Sequence, residues 1–338
     1  MRGRPEVATV NAGRAASWRT AAFDVAISLV RDRSLVIDAL RIVRLTYRAA
    51  GSRNVGIDNQ RMAPETGSVG APPDCHVLEQ FGVREPVPIE GGSTGQCFRA
   101  GGVVLKPHQD EEAIGWLARL CEEVGSHSEF RLACPIRSRT GGWTVSGWAA
   151  TTFVEGSHEL GRWAEILGAG RALHRAIEHL SKPAFLDTRM DRWAVADRAV
   201  WGEVEIEIPD ELREQIAALS GMLRAVDVPD QVVHCDLCGN TLFHDELPPA
   251  IIDFSEFFRP AEYAEGILIS DAAIWESAPM ELVKGWMTDE ARRQMLIRAC
   301  LFRLYVAALG RPYIPDRLRV IRDHHVPLTA WLQREPER

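Results

Sequence analysis

The feature that most constrains this chain is a short strand-rich segment, residues 231–254, set between stretches of helical patterning. Within it, the apolar stretches 241–243 and 250–252 flank a polar turn at 244–248. Two short apolar runs joined by a polar turn are typical of a β-hairpin. A hairpin returns its two ends to one place, so the residues before and after it are predicted to lie side by side.

Three polar side chains stand at the ends of this predicted hairpin. Asp236 and Asn240 lie on the loop that enters it, and Asp253 follows its second strand. Two carboxylates and a carboxamide at one point are what a phosphoryl-transfer site needs. One aspartate would orient or deprotonate the attacking hydroxyl, while the other aspartate and the asparagine would bind Mg²⁺ on the phosphates of a nucleotide.

An upstream segment offers the complement to these groups. Lys106 ends an apolar strand, 103–105, shortly after a glycine-rich turn that contains Gly91, Gly92 and Thr94. A lysine at this position can reach nucleotide phosphates, and glycines let the backbone approach them closely. Glu111 and Glu112 begin the next helix, and of the two we favour Glu112 as the ion-pair partner of Lys106.

The order of predicted elements indicates two units joined by a connector. Strand-like stretches are predicted at 96–100, 102–105, 131–136 and 143–149, with one helix among them, and mainly helical patterning follows residue 156. The connector, 152–155, includes Phe153 and Glu155 and offers backbone donors and acceptors to an adenine ring. We therefore expect an α+β protein with a β-rich unit at 74–155 and a helical unit at 156–338.

Residues 1–73 differ from the rest of the chain. Residues 1–61 contain eleven arginines, no lysine and five acids, whereas the whole chain carries a net charge of −8. A loop rich in Gly, Asn, Pro and Ser follows, and Met62 lies within it. We interpret 1–73 as an N-terminal extension that is disordered or not native, with Met62 as a candidate start; a helical extension packed on the body or a partner is the alternative.

Composition excludes several classes of protein. An acidic body is poorly suited to nucleic acid, where a basic face supplies most of the affinity. The longest apolar runs are far shorter than the roughly 18–20 residues of a membrane span. Seven cysteines, an odd number scattered through the chain, favour reduced thiols in the cytoplasm. The acids of segment 256–290 suit either a cationic acceptor or a solvated surface, and neither the acceptor nor the oligomeric state follows from the sequence.

Over roughly residues 78–310 the chain resembles the aminoglycoside phosphotransferase and choline kinase-like enzymes of the protein-kinase-like superfamily. The resemblance rests on the strand before Lys106, on Leu173-His174, on His234-x-Asp236 and on Ile252-Asp253. It implies a bilobal fold with a small β-rich N-lobe and a larger helical C-lobe. It also implies an ATP-dependent phosphotransferase that acts on a hydroxyl of a small molecule, such as an aminoglycoside, another amino alcohol or a sugar.

The resemblance also assigns roles to residues. Asp236 would be the catalytic aspartate, His234 would brace the same catalytic loop, Asn240 and Asp253 would be the metal ligands, and Lys106 would be the nucleotide lysine. One departure stands out, because the family loop has four residues between its aspartate and asparagine and this chain has three. Either Gly239 lets the shorter loop bend until Asn240 reaches the metal, or Asn240 misses it and the protein is a pseudokinase that binds nucleotide without turnover.

Overall fold

The computed structural model describes residues 71–89 and 97–334. The helices are α1 (Cys75–Phe81), α2 (Glu111–Val124), α3 (Trp163–Ile177), α4 (Phe185–Thr188), α5 (Arg192–Val200), α6 (Asp210–Ser220), α7 (Ala261–Trp275), α8 (Met280–Trp286), α9 (Glu290–Ala308) and α10 (Pro315–Arg334). The strands are β1 (Val87–Pro88), β2 (Phe98–Ala100), β3 (Val103–Lys106), β4 (Arg131–Leu132), β5 (Pro135–Ile136), β6 (Thr144–Val145), β7 (Trp148–Thr152), β8 (Gln231–His234), β9 (Thr241–Leu242), β10 (Ala250–Ile251) and β11 (Glu256–Arg259). None of the described helices is long and apolar enough to cross a membrane. The expectations for 1–70, including Met62, lie outside the described residues.

The N-terminal part is an antiparallel sheet in the order β1-β2-β3-β7-β5, with β6 paired to β7. In β2 the side chains of Phe98 and Ala100 are buried, whereas Arg99 between them is exposed, as expected for a strand with one face on the core. Leu105 pairs with Ala150 of β7, and both are fully buried. This pairing fixes the end of β3, and with it the position of Lys106.

The C-terminal part is built around two helices that are buried on nearly every side, α7 and α9. Helix α9 packs against α7, α5, α6 and α10. Both helices are rich in apolar residues around their whole circumference, which is typical of a helix in the centre of a domain. Together with the sheet, this arrangement confirms the α+β class that the sequence predicts.

The sequence analysis predicts single strands at 131–136 and 143–149, and both predictions are wrong because each stretch is divided into two strands. Segment 131–136 divides into β4, which pairs in parallel with β10, and β5, which pairs with β7 in the other sheet. Segment 143–149 is a hairpin, because Ser146 and Gly147 form its turn with φ angles of 50° and 79°. Positive φ at both central residues is the geometry of a tight two-residue hairpin turn.

The connector after β7 is attached to the predicted hairpin. The backbone N–H of Ser157 donates to the carbonyl of Phe243 at 2.9 Å, and that of Phe243 donates back at 2.8 Å. Gly156 lies so close to the hairpin that a Cβ there would be 2.9 Å from the carbonyl oxygen of Phe243. Arg131 extends the attachment, since its side chain donates to the carbonyls of Pro248 and Glu155, each at 2.8 Å. The end of the sheet and the hairpin are therefore joined by several backbone contacts.

Candidate active site

The hairpin forms where the sequence predicts it. Strands β9 and β10 pair antiparallel, and the N–H of Ile252 donates to the carbonyl of Asn240 at 2.9 Å. Asn240 therefore lies directly across from the residue that precedes Asp253. Asp253 has a left-handed backbone with φ of 49°, a conformation that is uncommon for residues other than glycine and occurs often at functional sites.

The shortened loop closes as a tight turn. The N–H groups of Gly239 and Asn240 both approach the carbonyl of Leu237 at 3.2 Å. The carboxamide nitrogen of Asn240 donates to the backbone carbonyl of Asp236 at 2.7 Å and to its Oδ2 at 2.9 Å. This nitrogen faces Asp236, so the carboxamide oxygen Oδ1 is the Asn240 atom that could bind a cation.

Two buried histidines, His174 and His234, support the loop through hydrogen bonds to its backbone and to that of β8. Nδ1 of His234 accepts the N–H of Asp236 at 3.1 Å, and its Nε2 lies 3.2 Å from the carbonyl of Ile252. Nε2 of His174 accepts the N–H of His234 at 3.1 Å. Burial and the neighbouring His234 lower the pKa of His174 to about 3, and burial also lowers the pKa of His234. Both ring nitrogens of His234 are engaged with backbone, an arrangement suited to holding the loop rather than to moving a proton.

Lys106 contacts the residue that follows the second strand of the hairpin. Its Nζ forms an ion pair with Oδ1 of Asp253, and Asp253 follows β10 directly in the sequence. Burial by itself would lower the pKa of Lys106, but the charge and hydrogen bond of Asp253 outweigh it and raise that pKa. The expected pair with Glu112 is not formed, because Glu112 is exposed on α2 while Lys106 turns to the hairpin. The neighbouring Glu111 instead accepts the N–H groups of Trp143 and Thr144 at 2.8 and 2.6 Å.

Arg303 of α9 is a site residue that the sequence analysis missed. Its Nη2 donates to Oδ1 of Asp236 at 2.8 Å. Asp271 of α7 holds the same guanidinium, at 2.9 Å from Nε and 2.5 Å from Nη2. Burial raises the pKa of Asp271 to about 6, against the attraction of Arg303. The sequence does contain an indication of this pair. Arg303 is the only charged residue in the apolar run 299–308, and Asp271 is the only one in 267–275. A charge buried among apolar residues needs a partner of opposite charge.

The remaining predicted nucleotide residues are placed as follows. The backbone N–H of Phe153 donates to the carbonyl of Gly102 at 2.8 Å, and the guanidinium of Arg99 lies 3.5 Å from its ring centroid. The carboxylate of Glu155 lies 3.7 Å from Nε2 of His244. Gly91, Gly92 and Thr94 lie outside the described residues. The structure thus brings Lys106, Asp236, Asn240 and Asp253 together and leaves Glu112 outside the group.

The cysteines of the loop are buried and belong to no metal cluster. Cys235 and Cys238 are each 2% exposed, and Sγ of Cys238 lies 3.3 Å from Oε1 of Glu276. Within residues 71–89 and 97–334, no three His, Cys, Asp or Glu side chains are arranged to hold a metal ion. The donors at the hairpin are instead one carboxylate and one carboxamide oxygen, a set that suits a hard cation completed by water and phosphate.

Comparison with known proteins gives similarity of structure alone. No family model and no curated protein matches the sequence. Among solved structures, aminoglycoside phosphotransferase from Alicyclobacillus acidocaldarius is 11% identical with a TM-score of 0.51, covering 79% of this chain and 97% of that one. The microcompartment-associated aminopropanol kinase is 14% identical with a TM-score of 0.51, covering 77% and 95%.

A third solved structure has the same degree of likeness. A thermostable mutant of aminoglycoside phosphotransferase APH(4)-Ia, in ternary complex with ADP and hygromycin B, is 13% identical with a TM-score of 0.51, covering 77% of this chain and 98% of that one. These likenesses show that the chain has the protein-kinase-like fold of the aminoglycoside phosphotransferases. The fold implied by the sequence resemblance is therefore confirmed.

Proposed function

We propose that this chain is an ATP-dependent phosphotransferase that acts on a hydroxyl of a small molecule. The observation that carries the proposal is the convergence of Asp236, Asn240 and Asp253 at the two ends of one hairpin, with Lys106 brought to the same place. In this proposal residues 74–155 bind the nucleotide, residues 156–338 carry the catalytic loop and bind the acceptor, and residues 1–73 are an extension. The solved complex of a similar structure with ADP and hygromycin B supports ATP as the donor.

The reaction follows from the placement of these groups. The acceptor oxygen forms a bond to the γ-phosphorus of ATP, and the bond from that phosphorus to the β–γ bridging oxygen breaks. The bridging oxygen leaves with its electron pair as part of ADP, and the hydroxyl proton passes to the Asp236 carboxylate and then to solvent. Asp236 orients the hydroxyl, which is the main demand in a loose phosphoryl-transfer transition state. Lys106 binds the nucleotide phosphates.

A magnesium ion fits the remaining donors. Asp253 and Oδ1 of Asn240 would hold it at the ends of the hairpin, and waters and phosphate oxygens would complete its coordination. Its charge would neutralise the negative charge that develops on the phosphates. Asp253 is paired with Lys106. A bound cation would therefore compete with Lys106 for the Asp253 carboxylate, and the nucleotide phosphates would compete with Asp253 for the Lys106 ammonium group.

The acceptor class is left open by the acids of segment 256–290. Glu265 accepts two hydrogen bonds from Arg171 and one from Trp286, and the other buried acids of the segment are similarly engaged. Buried acids compensated in this way give no reason to prefer a cationic acceptor over a neutral one. We therefore propose a small hydroxylated acceptor, with aminoglycosides, amino alcohols and sugars as the first compounds to test.

The cysteines suggest a compartment. All seven are free thiols. Unpaired thiols are typical of proteins in a reducing environment. We propose a cytoplasmic enzyme on this ground.

A pseudokinase is the second candidate, and a specific observation favours it. The carboxamide nitrogen of Asn240 is hydrogen-bonded to Asp236, and the carboxylate of Asp253 is paired with Lys106. If binding of nucleotide does not rearrange these contacts, the protein binds ATP and does not transfer its phosphoryl group. Binding measurements alone do not separate the two candidates, whereas turnover does.

The deciding experiment measures binding of ATP with Mg²⁺ by calorimetry and formation of ADP in the presence of an acceptor panel. The panel contains aminoglycosides, amino alcohols and sugars, and Asp236→Asn is the control for adventitious hydrolysis. We expect binding that requires Mg²⁺, and ADP formation that depends on one acceptor class and is lost in the control. Binding without any acceptor-dependent ADP formation assigns the pseudokinase role, and absence of binding overturns both candidates.

A further inference from the structure

The carboxylate of Asp236 is held on both of its oxygens. Oδ1 accepts from Nη2 of Arg303 at 2.8 Å, and Oδ2 accepts from the carboxamide of Asn240 at 2.9 Å. Each carboxylate oxygen has a second lone pair, so the group retains capacity to accept a substrate hydroxyl. We infer that Arg303 is a positioning residue for Asp236, an inference that rests on the proposed phosphotransferase function.

The guanidinium of Arg303 is also held by a second carboxylate, that of Asp271. Asp271 binds it through Nε and Nη2, the fork geometry in which arginine and carboxylate match best. The side chains of Arg303 and Asp271 are 7% and 1% exposed, and both lie on helices in the centre of the C-terminal part. Asp271 alone would suffice as a carboxylate partner for Arg303, so the further bond from Nη2 to the catalytic loop requires a separate explanation.

Positioning provides that explanation. Asp236 follows β8 on a loop with a one-residue deletion relative to the resembled family, and Asn240 is its neighbour within that same loop. The hydrogen bond from Arg303 connects this carboxylate to α9, a buried helix outside the loop. An error of about 1 Å in the placement of a catalytic group can cost about 100-fold in rate. Loss of the contact from α9 is therefore expected to lower the rate.

The hydrogen bond from Arg303 is also a charged one. A charged donor makes a shorter and stronger hydrogen bond to a carboxylate than a neutral donor does, so Arg303 is suited to fixing the position of this carboxylate. Asp236 and Asp271 share this charge, and together they raise the pKa of Arg303 despite its burial. Arg303 contacts Asp236, and in this proposal it acts on the acceptor only through Asp236.

The experiment compares kcat and the KM for ATP in variants of the full chain, using the acceptor that the panel identifies. Arg303→Lys keeps the charge but loses the fork, and we expect kcat to fall about 10-fold or more while the KM for ATP stays within about twofold. Arg298→Lys is the matched control, because Arg298 is buried on the same helix but donates to the carbonyl of Arg224. It should leave kcat within about twofold.

A second comparison separates positioning from general structural support. In the Asp236→Asn background, Arg303→Lys should reduce the residual rate no further, because its effect acts through the carboxylate. Asp271→Asn, which releases the guanidinium, should lower kcat in the same manner and serves if Arg303→Lys does not fold. A folded Arg303→Lys with unchanged kcat, or an equal loss in the Asp236→Asn background, overturns the inference while the proposed function stands. A wild-type protein without turnover overturns both.

Discussion

Lys106 and Asp253, 147 residues apart in the sequence, form an ion pair between the end of β3 and the residue that follows the β9–β10 hairpin. The expected lysine partner on α2, Glu112, points to solvent instead. The proposed phosphate-binding charge is thus compensated by the proposed metal ligand. If the proposed function holds, bound nucleotide would replace this ion pair with contacts to its phosphates, and the contribution of each residue to binding can be measured.

Replacement of Lys106 tests its role on the nucleotide. We expect Lys106→Ala to weaken binding of ATP with Mg²⁺ about 10-fold or more, because an ammonium that meets phosphates contributes a charge-assisted hydrogen bond. The matched control is Lys182→Ala, since Lys182 pairs with exposed Asp187 away from the hairpin. Calorimetry of folded variants checks the prediction, and equal affinity of Lys106→Ala and wild type would remove Lys106 from the site.

Replacement of Asp253 and replacement of Asp236 should have different effects on nucleotide binding and turnover. Asp253→Ala should abolish metal-dependent nucleotide binding and turnover together, because this carboxylate is the proposed metal ligand. Asp236→Asn should retain nucleotide binding and lose at least about 100-fold in kcat, the scale of a positioned acid–base group. Binding and rate measured on the same preparations give the order of effects. Nucleotide binding that survives Asp253→Ala, or turnover that survives Asp236→Asn, contradicts the assignment.

Much of this site follows from the sequence, and the part that does not has a physical reason. The hairpin and the convergence of Asp236, Asn240 and Asp253 are local, since residues within 20 positions and one turn determine them. The partner of Lys106 follows a strand of a different sheet, and a choice between Glu112 and Asp253 depends on how the two sheets pack. Arg303 reaches Asp236 across 67 positions, so its apolar surroundings indicate a buried partner without identifying it.

The acid dependence of stability should report on His174. Burial lowers its folded pKa to about 3, so below its ordinary pKa of 6.5 the unfolded chain binds a proton that the folded chain does not. Stability supplied by His174 is complete above pH 6.5 and falls by about 1.4 kcal/mol per unit as the pH decreases toward 3. The advantage of wild type over His174→Gln in unfolding free energy should shrink with that slope.

Chemical denaturation at several pH values checks this prediction, and the difference between the two proteins is the quantity to compare. Burial raises the pKa values of Asp271 and Glu256 to about 6 and about 7, which favours the folded state as the pH falls, but both proteins contain them. His76→Gln, at an exposed position in α1, is the control and should leave the slope unchanged. A pH-independent difference for His174→Gln contradicts the prediction.

Gly156 should tolerate no side chain. Its φ is 146°, and a Cβ would lie 2.9 Å from the carbonyl oxygen of Phe243, a backbone atom that cannot move without disturbing the hairpin. We expect Gly156→Ala to lower the Tm by about 2–4 °C, equivalent to a loss of about 1–2 kcal/mol. Gly161→Ala separates clash from backbone strain, because Gly161 has φ of 89° with no atom within 4 Å of its Cβ position. Equal Tm losses in the two variants would show that the close contact has no effect.

The pairing of β4 with β10 determines how this protein can be divided. β4 precedes the connector in the sequence, yet its strand partner Ala250 belongs to the β9–β10 hairpin more than 100 residues later. A fragment that ends at the connector would keep β4 and lose that partner, leaving an unpaired strand edge prone to aggregation. The two lobes are therefore not interchangeable modules. A chimaera between proteins of this fold would have to take β4 from the parent that supplies the hairpin.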